Sequence, residues 1–174
     1  MRIAALALLL ASATHAQTGI DAVVLHSQGL GYEPKGFGFA LQHTSQHLDA
    51  RFTALQHPKR DGKGQRYHAT VMGRYHFDKW YVEAGGRWAG YDTRFDDSRN
   101  WRKYGYSAGV GIGSGNTHLR YYWPNTTPNN TSVIALTSSV ALGDNWHLGG
   151  SIERWQFDGS RSGVQTEIRL GKRF

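Results

Sequence analysis

The feature that most constrains this chain is a two-residue alternation of apolar and polar side chains, repeated in segment after segment. Tyr67, Ala69, Val71, Gly73, Tyr75 and Phe77 share one parity, while His68, Thr70, Met72, Arg74 and His76 share the other. Successive side chains of a strand point to opposite faces, so period two sets an apolar surface against a polar one. Trp80, Val82, Ala84, Gly86 and Trp88 alternate in the same way with Tyr81, Glu83, Gly85, Arg87 and Ala89. Tyr104 to Gly113, Thr117 to Trp123 and Val164 to Phe174 repeat the pattern. Residues 133–142 and 146–157 carry it less regularly, and Arg154 is expected to mark a bulge or the strand's exit from a membrane.

The connections alternate in length. Asp78-Lys79, Gly115-Asn116 and Gly143-Asp144-Asn145 read as tight hairpin turns. Pro58 to Gln65, Phe95 to Lys103, Pro124 to Thr131 and Asp158 to Ser162 read as longer polar loops. Eight strands are visible from residue 48 onward. Gly36 to His43, with Phe37, Phe39 and Leu41 on one face, adds another, and Ile20 to Gln28 completes an even set with Gly29 to Lys35 as its loop. Ten strands are expected. In the alternative of eight, residues 17–47 form an extension or plug.

Composition narrows the environment. Met1-Arg2, the apolar stretch Ile3 to Ala11 and the small residues around Ala13 and Ala16 have the form of a secretory signal peptide covering 1–16, with cleavage after Ala16. Residues 17–174 are then one domain. Beyond Ala16 no run of about 18 apolar residues exists to cross a bilayer as a helix. A mean hydropathy of -0.54 ordinarily argues for a soluble chain. A membrane barrel escapes that inference, because every second residue of its strands faces a polar lumen. There is no cysteine, hence no disulfide framework and no thiolate chemistry. The net charge of +7 is scattered over loops and strands and forms no single stripe. Anionic lipid headgroups are therefore a better counter-charge than nucleic acid, which is not an expected partner.

The last strand ends on Phe174, with Leu170, Ile168, Thr166 and Val164 spaced by two behind it. This resembles the C-terminal recognition signal of bacterial outer-membrane β-barrel proteins, in which a terminal aromatic closes an amphipathic strand. Lys172 on the apolar parity departs from that pattern, and its stem can snorkel to the interface. The resemblance covers the pattern of the mature chain, with small barrels of the OmpA and OmpX type as the nearest architecture. It implies an all-β, closed, antiparallel, up-and-down transmembrane barrel in the Gram-negative outer membrane. It also implies insertion by the barrel assembly machinery and pairing of the first and last strands. The expected form is a monomer among outer-membrane lipids, lipopolysaccharide included.

In that topology the inward parity holds Asp49, Arg51, His68, Arg74, Glu83, Arg87, Arg120, Glu153, Glu167 and Arg169. Charges in a narrow lumen must pair to offset desolvation, and eight to ten strands leave an interior filled by side chains. A structural network is thus expected before a porin-like conducting pore. Gly105, Gly109, Gly111 and Gly113 make room for long side chains opposite. Trp88, Tyr91, Tyr104 and Trp123 near the long loops, with Phe77, Trp80, Trp146 and Phe174 near the short turns, suit two interfacial girdles.

One element looks catalytic. His43-Thr44-Ser45 puts a histidine and a serine on one strand face, where the imidazole can activate the hydroxyl. The spacing is similar to the His-x-Ser element of outer-membrane phospholipases and lipid A deacylases, although Gln46-His47 replaces the Asn-Gly or Asn-Ala that follows it there. The ten-strand topology puts the pair at the periplasmic end. His43 and His47 have helical metal spacing without a helix, so neither metal nor cofactor is expected. The leading functional expectation is a non-enzymatic barrel acting by surface contact or envelope stabilisation. Its contact loop carries Asp96, Asp97, Arg99, Trp101 and Arg102. The alternatives are a lipid hydrolase using Ser45 and His43, and a soluble periplasmic barrel holding an apolar ligand against an inward apolar face.

Overall fold

A computed structural model describes residues 17–29, 35–58, 64–93, 101–114, 116–124, 131–157 and 162–174. The expected signal segment lies outside them, as do loop residues Asp96, Asp97 and Arg99. The ten strands are β1 (Gln17–Gln28), β2 (Lys35–Thr44), β3 (Leu48–Pro58), β4 (Gly64–Phe77), β5 (Trp80–Thr93), β6 (Trp101–Ser114), β7 (Thr117–Pro124), β8 (Ser132–Gly143), β9 (Trp146–Gln156) and β10 (Ser162–Arg173). Each pairs antiparallel with its neighbours in sequence, and β1 pairs with β10 from Gly19↔Arg173 to Gln28↔Val164. The barrel is closed. Closure leaves no unpaired edge, the one all-β arrangement that satisfies every backbone group without water.

Short turns gather at one end. Asp78-Lys79 joins β4 to β5 with Asp78 at φ 61°, and the turn between β8 and β9 holds Gly143, Asp144 and Asn145 at φ 92°, 29° and 68°. Glycine, asparagine and aspartate reach that left-handed region most readily, and this is why those residues read as turns. Both described termini lie at the same end, where Phe174 N donates to Thr18 O at 2.7 Å.

Sidedness matches the alternation. Tyr75, Val110, Leu119 and Ile168 point outward at 54, 45, 48 and 62% exposure, while Glu83 and Arg169 point inward at 2 and 8%. This arrangement is the reverse of the soluble ligand-binding barrel, whose apolar face turns inward.

Two expectations about irregularity are corrected. Arg154 is not a bulge: β9 continues to Gln156, and Arg154 pairs in register with Val164 and Ile134. The register shift lies in β8, between Ala141 and Gly143, where the glycine-led turn begins. The loop expected over Phe95 to Lys103 is also shorter, because Trp101 and Arg102 already pair with Tyr91 and Gly90 in β6.

Candidate functional site: the lumen network and the turn around Ser45

The inward charges form linked clusters. Glu83 on β5 accepts from Arg74 Nε at 2.9 Å and lies 3.5 Å from Arg120 Nη1. Arg120 also pairs with Glu153 on β9. The second oxygen of Glu153 accepts from the Tyr122 hydroxyl at 3.0 Å, from Trp155 Nε1 at 3.2 Å and from Gln165 Nε2 at 3.2 Å. One buried carboxylate therefore ties together β7, β9 and β10. Glu167 on β10 is shared by Arg51 at 3.0 Å and Arg169 at 3.2 Å. Burying ions in this way costs several kcal/mol each unless geometry and further hydrogen bonds compensate. The carboxylates supply that to part of each guanidinium, while Nε of Arg51, Arg120 and Arg169 is buried without a hydrogen-bond partner among the described residues.

The structure brings Arg51, Arg74, Glu83, Arg120, Glu153, Glu167 and Arg169 together. Arg87 points into the same lumen without a carboxylate in ion-pair distance among the described residues. A cavity of about 180 Å³ runs between these groups, bounded by arginines 51, 74, 87, 120 and 169.

Toward the short turns the lumen is lined by histidine contacts that the alternation did not reveal. His76 Nε2 meets Asp49 at 2.7 Å, and His147 Nε2 lies 2.9 Å from Asp21 and 3.3 Å from Gln42. The Tyr81 ring packs tilted against His76 and edge-to-face against His118, with centroids at 5.3 and 5.8 Å. Gly111 is required here: a Cβ at that position would overlap the Tyr81 ring. Toward the long loops two apolar clusters join the interior, together with the buried His57 and His68, whose rings stack with centroids 5.1 Å apart. Val23, Leu25, Ala40 and Leu55 pack on one side, and Tyr122, Val133, Ala135 and Trp155 on the other. No group of three or more metal-ligating side chains occurs among the described residues.

His43 and Ser45 are not joined. The Ser45 hydroxyl donates to Leu48 O at 2.8 Å and accepts from Leu48 N at 3.2 Å, closing the turn between β2 and β3. His43 Nδ1 instead meets the Thr18 hydroxyl at 3.2 Å. The serine is thus committed to backbone groups of its own turn. Ser45→Ala is expected to cost about 1 kcal/mol of stability, read as a lower urea midpoint for the refolded barrel.

At the C-terminal end, Lys172 lies over the rings of Trp146 and Phe174, with centroid distances of 5.9 and 5.8 Å. The lysine on the apolar parity is half-buried against aromatic faces at the short-turn rim. Leu170 and Ile168 continue the outward row above it.

No protein-family model and no curated protein matches the chain. Among solved structures it is similar to the N-terminal β-barrel domain of Pseudomonas aeruginosa OprF, at 10% identity and TM-score 0.43, covering 91% of this chain and 97% of that one. It is also similar to Neisserial surface protein A, at 15% identity and TM-score 0.38, covering 91% and 95%. The anion-selective porin from Comamonas acidovorans matches at 14% identity and TM-score 0.42 over 82% of this chain, which spans half the length of that porin. The likeness is one of barrel architecture.

Proposed function

We propose that the chain is an integral outer-membrane protein of a Gram-negative envelope, exported by its 1–16 segment. In this reading it stabilises the envelope or makes surface contacts through its long loops, and it carries out no catalysis. The sidedness of the barrel supports this reading above all. An outward belt of exposed aliphatic and aromatic side chains is unfavourable in water and favourable among acyl chains. A lumen filled by paired charges is what a small barrel needs for stability, and a narrow residual cavity suits that role better than transport. The contact surface is assigned to the 94–100 loop with Asp96, Asp97 and Arg99, continued by Trp101 and Arg102 at the start of β6.

Fractionation of cells producing the full precursor tests the placement. The processed protein is expected in the outer-membrane fraction, with a heat-dependent change in gel mobility. Recovery in the soluble periplasmic fraction would overturn it. Incubating the purified barrel with phospholipid and lipid A is expected to release no fatty acid, and release abolished by Ser45→Ala would restore the hydrolase reading.

A further inference from the structure

Tyrosine and tryptophan rings gather in one sector of the outward surface at the long-loop end. On β4 to β7 that end carries Tyr67, Trp88, Tyr104, Tyr106, Tyr121 and Trp123, with Tyr67 against Trp88 at 4.9 Å and Tyr121 against Trp123 at 4.7 Å. Such rings favour the headgroup level of a bilayer. On β9, β10, β1 and β2 the same end has no outward tyrosine or tryptophan among the described residues. There the exposed outward side chains include the basic residues Arg154 on β9, His26 on β1 and Lys35 on β2, with Phe37 two residues from Lys35.

Lys35 lies directly opposite His26 in the β1–β2 ladder. Directly opposed side chains on one face of an antiparallel pair are close neighbours, with Cβ atoms about 5 Å apart. Arg154 is flanked by Val164 and Ile134 across its two ladders and by Ile152 two residues below, all exposed and apolar. Three strand spacings, roughly 14 Å, separate β9 from β2. Gln28 and Ser162, also exposed at this end, add an amide and a hydroxyl.

On β9, β10, β1 and β2 no outward position with a described side chain carries an aspartate or a glutamate. The carboxylates that pair with the lumen arginines face inward, so Arg154 and Lys35 have no carboxylate beside them on that wall among the described residues. Height matters too. Arg154 stands eight residues beyond Trp146 on β9. At about 3.3 Å per residue and a tilt near 40° this is roughly 20 Å along the membrane normal, most of an apolar band about 25 Å tall. From there the arginine stem reaches the headgroup layer at little cost, whereas a guanidinium at mid-depth is strongly disfavoured.

Resting on the membrane placement above, we propose that Arg154, His26 and Lys35 form a binding site for a phosphorylated glycolipid headgroup of the lipopolysaccharide class. It lies on the lipid-facing wall of β9, β10, β1 and β2. A guanidinium offers a phosphate two parallel N–H bonds, an ammonium adds a point charge, and the neighbouring amide and hydroxyl suit a sugar. The aromatic sector of β4 to β7 anchors the barrel in depth, while the basic sector selects which lipid lies beside it.

Native mass spectrometry of the full refolded barrel in neutral phosphatidylcholine nanodiscs tests this, with equal amounts of diphosphorylated and dephosphorylated lipid A. The wild type is expected to retain the diphosphorylated form preferentially. The Arg154→Gln, Lys35→Gln, His26→Gln triple variant is expected to lose that preference by on the order of tenfold. Lys172→Gln, at the opposite rim, is expected to keep it. If the triple variant does not insert, Arg154→Gln alone is read, with a several-fold loss expected. Equal retention of both lipids by an inserted wild-type barrel would overturn the site while leaving the membrane placement intact. So would an undiminished preference in the variants, or displacement of lipid A by millimolar inorganic phosphate, which would mark a free-anion site. A wild-type chain that never enters the nanodisc would refute the placement, and the site with it.

Discussion

Glu153→Ala is expected to lower the unfolding free energy of the barrel by about 3–5 kcal/mol, the largest loss for any single lumen side chain. The carboxylate is 5% exposed and serves four partners on three strands: Arg120, Tyr122, Trp155 and Gln165. Its removal leaves a phenol and an indole N–H short of an acceptor, and Arg120 with only Glu83 at 3.5 Å. Glu153→Gln keeps the shape and loses the charge, so an intermediate cost is expected. Arg51→Ala is expected to cost less than either, because Glu167 retains Arg169 and Arg51 is a quarter exposed. Urea titrations of the barrel refolded in vesicles, followed by tryptophan fluorescence and gel mobility, give the ranking. A Glu153→Ala midpoint equal to wild type would mean that the network does not hold the barrel together.

Leu136→Arg is the second large effect. Leu136 points outward from the middle of β8, between Leu119 and Ile152 on its neighbours. Placing a guanidinium there is expected to cost about 2–4 kcal/mol on insertion into vesicles, whereas Gln156→Arg at the long-loop end of β9 is expected to cost at most about 1 kcal/mol. The contrast follows from depth alone, since both sites face outward. In a barrel surrounded by water both changes would be close to neutral, and Leu136→Arg would raise solubility.

Strands β4 to β7 and β10 were legible because their two faces differ in chemistry at nearly every step. β1 was not, and the reason lies in its inner face. Val23 and Leu25 point inward against Ala40 and Leu55, while Ile20 and Val24 point outward, so period two vanishes and the choice between eight and ten strands stayed open. At the far end of β9 the hydropathy is inverted: Trp155 turns inward to donate to Glu153, and Arg154 turns outward. A pattern that assigns apolar residues to one parity reads this as a defect.

The parity of the inward charges was readable, but their pairing was not. Arg51 and Glu167 lie 116 residues apart in sequence and meet only through closure of the barrel. The contact of His147 on β9 with Asp21 on β1 was missed for the same reason, whereas His76 and Asp49 meet across the adjacent strands β3 and β4. The His43-x-Ser45 spacing, by contrast, was local and visible, yet the hydroxyl it highlighted is used to close a turn. Spacing identifies which side chains share a face and leaves open what each one bonds.

The chain has no cysteine, so single cysteines can be introduced along β9 and spin-labelled without background. Oxygen and a water-soluble nickel complex then report, for each label in the refolded barrel in vesicles, contact with acyl chains or with water. Labels at 148, 150 and 152 are expected to be accessible to oxygen and protected from nickel, with those at 149, 151 and 153 shielded from oxygen. Nickel access at 148, 150 and 152 equal to that of a label in the 158–161 loop would contradict the outward acyl-facing surface on which this account rests.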